Sequence, residues 1–270
     1  MFEVKSLDAF YGKSQALVDV SFQLSAGGFL AILGKNGMGK SNVLEAVYVL
    51  SALKSFREHI PSHFIRWKAP DAQLEMKVRT QYGMRSLSWG YANKRRLLHI
   101  DKVRCNDLSS WFALIRSVVF CPDQTSIVRE GPSARRNFLD RARFTASPAY
   151  LSLVRNYIKV LEQKKALLKN GNPSIDQLMI WNEQLIKYGV RIALQRQMII
   201  KELSDPFQKM HEYLSGKEQV TLQLTGVSAQ NPEDIRAYFH QELKEKMDTE
   251  LRLRRCLVGP HCDNMKIHID

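Results

Sequence analysis

Eight consecutive residues, Gly34-Lys35-Asn36-Gly37-Met38-Gly39-Lys40-Ser41, satisfy G-x-x-x-x-G-K-[ST] at every defined position. Glycines at these places let backbone N–H groups turn inward without Cβ clashes, which is the arrangement that cradles phosphate. Lys40 would set a compact positive charge against terminal phosphates, and Ser41 a hydroxyl ligand for Mg²⁺. A helix opening at Ser41 adds the positive end of its dipole. The chemistry implied is binding of a nucleoside triphosphate with Mg²⁺ across Gly34, Lys35, Asn36, Gly37, Met38, Gly39, Lys40 and Ser41.

The flanking elements have the form such a loop needs. Phe29–Leu33 is a short apolar run, as expected of a strand buried in a parallel sheet. Val43, Leu44, Val47, Leu50 and Leu53 follow at helical spacing. Residues 2–7 and 20–24 alternate as half-buried strands, and 74–101 hold three alternating stretches broken at Tyr82-Gly83 and Asn93-Lys94, an antiparallel meander. Ser117–Cys121 is another apolar strand, ended by Pro122.

From about residue 133 the period becomes helical. Ser147-Pro148 reads as an N-cap with proline at the first helical position. Leu151, Val154, Ile158, Leu161 and Leu168 line one face of the helix that follows. After Asn170-Gly171-Asn172-Pro173, Ser174 with Gln177 forms a capping box, and Leu178, Trp181, Leu185, Tyr188, Ile192 and Ile199 keep a seven-residue rhythm. Two long helices joined by a short loop make a hairpin with an apolar seam. Val220, Leu222 and Leu224 alternate as a strand, and Asn231-Pro232-Glu233-Asp234 starts a capped helix. The pattern is an α/β nucleotide-binding lobe interrupted by a helical one, divided at 1–132, 133–210 and 211–270.

Composition narrows the partners. The chain of 270 residues is 44% hydrophobic and 25% charged, as in globular proteins, and no run approaches the ~18–20 apolar residues of a membrane helix. The acidic Glu3 and Asp8 do not fit a secretory leader, so a cytoplasmic protein with no membrane partner is expected. Cys105, Cys121, Cys256 and Cys262 follow no disulfide or zinc spacing, so reduced thiols are expected. The net charge is +13, and residues 54–104 carry twelve basic against four acidic side chains. Charge gathered in this way points to a polyanion such as DNA.

The motifs also carry a family resemblance. Residues Gly37–Tyr48, GMGKSNVLEAVY, resemble the RecF pattern GQGKTNLLEAIY. Lys54-Ser55-Phe56-Arg57 with Ile65-Arg66-Trp67 is similar to its SxR…IRW segment, and Val118–Asp123 to VLFSPED. Gly131–Asp140 resembles GSPAERRRFLD, Ser147–Leu151 SPAYL, and Leu257–His261 with Asp263 LVGPHRDD. The resemblance implies a P-loop ABC-type ATPase lobe with an antiparallel β subdomain and an inserted helical lobe, related to SMC proteins. It implies ATP and Mg²⁺ as cofactors and action at duplex or gapped DNA in recombinational repair and replication. RecO and RecR are the implied partners, with an ATP-dependent homodimer. Arg57, Arg66, Arg135 and Arg136 are the basic positions within matched motifs and so the DNA-contact candidates.

Two departures accompany it. Leu7–Ser14 resembles the opening of branched-chain amino-acid importer ATPases, where an aromatic such as Tyr11 stacks on adenine. That keeps an ABC transporter subunit as an alternative. No LSGGQ-like signature or acid-ending strand is found before Asp270, so catalytic residues stay unassigned, the chain reads as a fragment or a degenerate member, and a non-catalytic nucleotide-binding module is the other alternative.

Overall fold

The computed structural model describes residues 2–11, 14–25, 27–58, 60–65, 70–80, 83–121, 126–170, 173–216 and 218–269. Two compact units divide the chain, residues 1–122 and 123–270.

In the first unit, β1 (Phe2–Tyr11) and β2 (Ser14–Leu24) pair antiparallel, with Phe2 opposite Leu24 and Val4 opposite Phe22. After the glycine-rich loop, α1 (Lys40–Ala52) buries Val43, Ala46, Val49 and Leu50, followed by Leu53. Leu44, assigned to the apolar stripe by its spacing, is 54% exposed. The meander forms as expected: β3 (Asp71–Thr80), β4 (Gly83–Ala92), β5 (Arg95–Ile100) and β6 (Val103–Arg104) are sheet neighbours in that order. Asn93 and Lys94 both have positive φ, as do Asp101 and Lys102, the conformation that lets a two-residue turn follow the twist of its strands. Leu74, Met76, Val78, Leu87, Trp89 and Leu98 fill the inward face. α2 (Leu108–Leu114) is capped by Asp107, and Trp111 within it donates its indole N–H to Leu50 O at 2.8 Å, locking the end of α1.

Two expected strands differ. Residues 29–33 and 117–121 join no sheet among the described residues, and Phe29, Leu33, Val118 and Phe120 are 89–94% exposed. An apolar run becomes a strand only when a neighbouring backbone supplies ladder partners. Here the described residues supply none.

The second unit is built on one helix. It begins with α3 (Ser126–Arg129), α4 (Pro132–Ala146) and α5 (Tyr150–Lys169). The helix α5 starts two residues later than the Ser147-Pro148 signal suggested, because those residues form a turn whose carbonyls accept from Tyr150 and Leu151 N–H. Then α6 (Ile175–Ser215) runs 41 residues from a cap in which Ser174 Oγ accepts the Gln177 N–H. Its seven-residue rhythm is real: Leu178, Leu185 and Ile192 pack with Leu153, Tyr157, Leu161 and Leu168. A second face of α6, Ile186, Val190 and Ala193, meets Ile235, Phe239 and Leu243 of α7 (Pro232–Glu245). A third cluster joins Ile199 and Ile200 to Leu139 of α4 and to Met265. β7 (Val220–Thr225) pairs antiparallel with β8 (Asn264–Ile269), and the short α8 (Met247–Leu253) precedes the Gly259–Asp263 turn.

A buried ion pair ties α5 to α8 in this unit. Lys164 Nζ on α5 lies 2.6 Å from Glu250 Oε2 on α8, with side chains 0% and 4% exposed. Glu250 Oε1 also accepts the Leu257 N–H at 2.7 Å. Removing only the cation strands a carboxylate in a low-dielectric interior. Lys164→Met is therefore expected to cost ~3–5 kcal/mol, and Lys164→Met/Glu250→Gln less than Lys164→Met alone, as read by urea unfolding.

Candidate phosphate-binding loop and the motif clusters around it

The loop leaves β2 and reaches α1 through glycines that need their freedom. Gly37 and Gly39 have φ of 87° and 82°, a region that costs an L side chain dearly. Gly39 caps α1, its carbonyl accepting from Asn42 and Val43 N–H at 2.9 and 3.1 Å. Within the loop only the Met38 N–H is used internally, donating to Lys35 O. The N–H groups of Asn36, Gly37, Gly39, Lys40 and Ser41 have no partner among the described residues. Those of Lys40 and Ser41 are the first of the helix and have no intrahelical acceptor.

Lys40 folds back across this loop. Its Nζ donates to Gly34 O at 2.6 Å and Lys35 O at 2.9 Å. One ammonium thus holds the loop closed by contacts that an anion could share or replace. Ser41 is exposed with its hydroxyl uncommitted among the described residues, so the oxygen donor a Mg²⁺ would need is present. The residues fit both groups. Lys35, Asn36 and Met38 complete the exposed rim.

The helix that carries the loop is tied to the segment after it. Glu45, 1% exposed, accepts from Ser55 Oγ, while Ser55 Oγ accepts Arg57 and Glu58 N–H at 2.8 and 2.9 Å. Arg57 then reaches Asn42 Oδ1 at 3.2 Å and Glu45 at 3.6 Å. Asn42, Glu45, Ser55 and Arg57, all within matched motif segments, form one connected group. Tyr11 ends β1 opposite Ser14, and its side chain lies outside the described residues, as do Arg66 and Asp123.

The other motif residues converge in the second unit on a residue no motif contained. Arg196, on the buried side of α6, makes a two-pronged contact with Asp140 at 2.9 and 2.9 Å. Its remaining nitrogen donates to Pro260 O and to Asp263 at 3.1 Å. Tyr150 Oη donates to Asp140 at 2.7 Å. Arg135 bonds Asn264, Ile127 O and Glu130 O, and Arg136 bonds Asp263 O and Ser133. The sequence signal for Arg196 was a charge interrupting the Ile192–Ile199 stripe, which if buried must be met by a counter-charge or hydrogen bonds.

Beside it, Tyr157 Oη and His261 Nδ1 are 2.6 Å apart, and His261 Nε2 is 3.1 Å from Cys256 O. The bonds are satisfied by neutral imidazole with its proton on Nε2. Gly259, with φ of 129°, lets the turn pass there, since a Cβ would come within 2.4 Å of Tyr157 Oη. Burial lowers the His261 pKa to about 4, against the helping Cys256 carbonyl and with Lys165 and Lys164 adding to the fall. Burial pushes Asp263 up to about 6, partly offset by Arg196.

No family model matches the chain. It is 34% identical over 243 residues to DNA replication and repair protein RecF of Desulfitobacterium hafniense, covering 88% of this chain and 67% of that one. It is 31% identical over 264 residues to the RecF of Streptococcus thermophilus, covering 97% and 71%. A solved structure of the recombination mediator protein RecF with ATP, in the RecFOR pathway, superposes with a TM-score of 0.87 at 25% identity, covering 99% of this chain and 73% of that one. Fold and loop define a P-loop protein of mixed α/β class. The chain belongs to the RecF family and spans about two thirds of the length of these curated relatives.

Two tests follow from this geometry. Ser55→Ala removes a donor to a buried carboxylate and an acceptor for two N–H groups, and is expected to cost ~2–3 kcal/mol in urea unfolding. An unfolded His261 takes a proton near pH 6.5 and the folded one only near 4, so its contribution to stability is lost as pH falls through that window. The stability of the natural chain relative to His261→Gln is expected to fall by about 3 kcal/mol toward pH 4. Asp263, raised, titrates in the opposite sense and cancels in this difference if left intact in both proteins.

Proposed function

We propose that this chain binds ATP with Mg²⁺ at Gly34–Ser41 and acts on DNA in repair and replication, as a RecF-family protein. The observation that carries the reading is the set of unpartnered amides and one ammonium gathered at the start of α1. With nucleotide bound, the Lys40 ammonium that now meets Gly34 O and Lys35 O would supply the positive charge for its terminal phosphates. The loop amides would hold phosphate oxygens, and Ser41 Oγ would supply a ligand to Mg²⁺. The relatives named above are DNA replication and repair proteins, and the ATP-bound one is assigned to the RecFOR pathway, which supports RecO- and RecR-type partners.

The DNA contact is best placed on the outer face of the meander. Alternation puts Lys77, Arg79, Arg95 and Arg104 there, exposed, with Asp71 and with Glu75, which accepts from Ser86 Oγ, around a strip of Ser86, Ser88 and Gly90. Small residues leave room for a backbone to approach, and the cations suit phosphate. Arg79 also lies 3.7 Å from Glu3. Among the four motif arginines, Arg135 and Arg136 are held by internal bonds and Arg57 by Asn42 and Glu45, so positioning their own segments is their first role.

Lys40→Ala is expected to weaken ATP binding at least about tenfold with the unfolding curve unchanged, as measured with a fluorescent ATP analogue. Affinity equal to that of the natural chain would remove the loop from the account. Lys77→Ala/Arg104→Ala is expected to weaken duplex binding irrespective of sequence and to flatten log K against log salt by about two. An unaltered slope would place the DNA elsewhere.

A further inference from the structure

A pocket of about 190 Å³ opens in the first unit beside the C-terminal half of α1. It is lined by Val49, Leu53, Phe64 and Trp89, which are apolar, and by Lys54, Ser55, Glu58 and Arg96. None of Gly34–Ser41 lines it, so it is not part of that site. Its size decides what it can hold. Pockets for nucleotides and other drug-sized ligands run to roughly 300–1,000 Å³, whereas an engineered cavity of about 150 Å³ accepts benzene. This one takes a single ring or a branched aliphatic group.

Its polar groups are unevenly committed. Ser55 is engaged with Glu45. Glu58 accepts from Ile60 N–H at 2.9 Å and lies 2.8 Å from His63 Nδ1. Lys54 and Arg96 have no hydrogen bond or ion pair among the described residues, and burial lowers the Lys54 pKa. The indole N–H of Trp89, a side chain 2% exposed, is buried without a partner beside them. The lining carries two cations against one carboxylate, and both cations reach solvent at its mouth. An anion there regains the interaction that Lys54 forgoes, and a chain attached to it can leave toward water.

We propose that this pocket captures the carboxyl-terminal residue of a protein partner, its aromatic or branched apolar side chain against Phe64 and Trp89 and its free carboxylate between Lys54 and Arg96. A terminal residue is the part of a protein in which one apolar side chain and a carboxylate share a single carbon.

The test titrates the whole chain with an acetylated hexapeptide ending in Gly-Phe, with the same peptide amidated at its terminus, and with 3-phenylpropionate, by calorimetry and tryptophan fluorescence. The free-acid peptide is expected to bind at least tenfold more tightly than the amide. Lys54→Met and Arg96→Met are each expected to weaken it about fivefold or more, with ATP affinity and thermal unfolding as in the natural chain. Equal binding of acid and amide overturns the proposal, as does peptide affinity unaffected in both variants. Binding of 3-phenylpropionate without the peptide overturns the protein partner, and no binding of either overturns the site. The acid–amide comparison needs no variant, so it stands even if a substitution unfolds the chain, and loss of ATP binding by Lys40→Ala bears on the phosphate loop alone.

Discussion

A charge taken out of water must be met by another charge or by aligned hydrogen bonds, and three places in this protein are organised around that requirement. Glu45 draws Ser55 and, more distantly, Arg57 to the helix that follows the glycine-rich loop. Lys164 and Glu250 bind α5 to α8 in the dry part of the helical unit. Arg196 gathers Asp140, Pro260 and Asp263 from segments more than fifty residues away in sequence. Each arrangement is expensive to leave half made, which selects one packing of each unit over its near alternatives.

The loop itself is held differently. Its glycines adopt backbone angles open to few other residues, and apart from Met38 its amides have no partner among the described residues, so its shape depends on the Lys40 ammonium lying across two carbonyls. The loop is preorganised by a contact that its proposed ligand can take over, and little rearrangement is then needed when phosphate arrives. Ser55 extends this order along α1, because it fixes the two amides that start the turn after the helix.

The pocket of the first unit sits against the same helix. Val49 and Leu53 contribute to it, and Trp111 pins the adjacent carbonyl of Leu50. Occupation of that pocket and of the glycine-rich loop would therefore act on one rigid element. In the second unit, α6 plays the comparable part, with three apolar clusters arranged along it and Arg196 among them.

Much of this was written in local pattern. The P-loop, the meander with its Asn93-Lys94 turn, the Ser174 and Asn231 caps and the seven-residue seam of α6 depend on interactions within a few residues, where type and spacing are decisive. The family motifs were equally legible as strings, but their meaning was not. Nothing local says that Asp140, Tyr150 and Asp263 meet, or that Arg196 is what they meet, because the pairing of buried charges is settled by which distant segments pack together. The same holds for Phe29–Leu33 and Ser117–Cys121. Their apolar character belongs to the sequence, whereas strand structure needs hydrogen bonds from a neighbouring backbone, and that is a property of the tertiary fold alone.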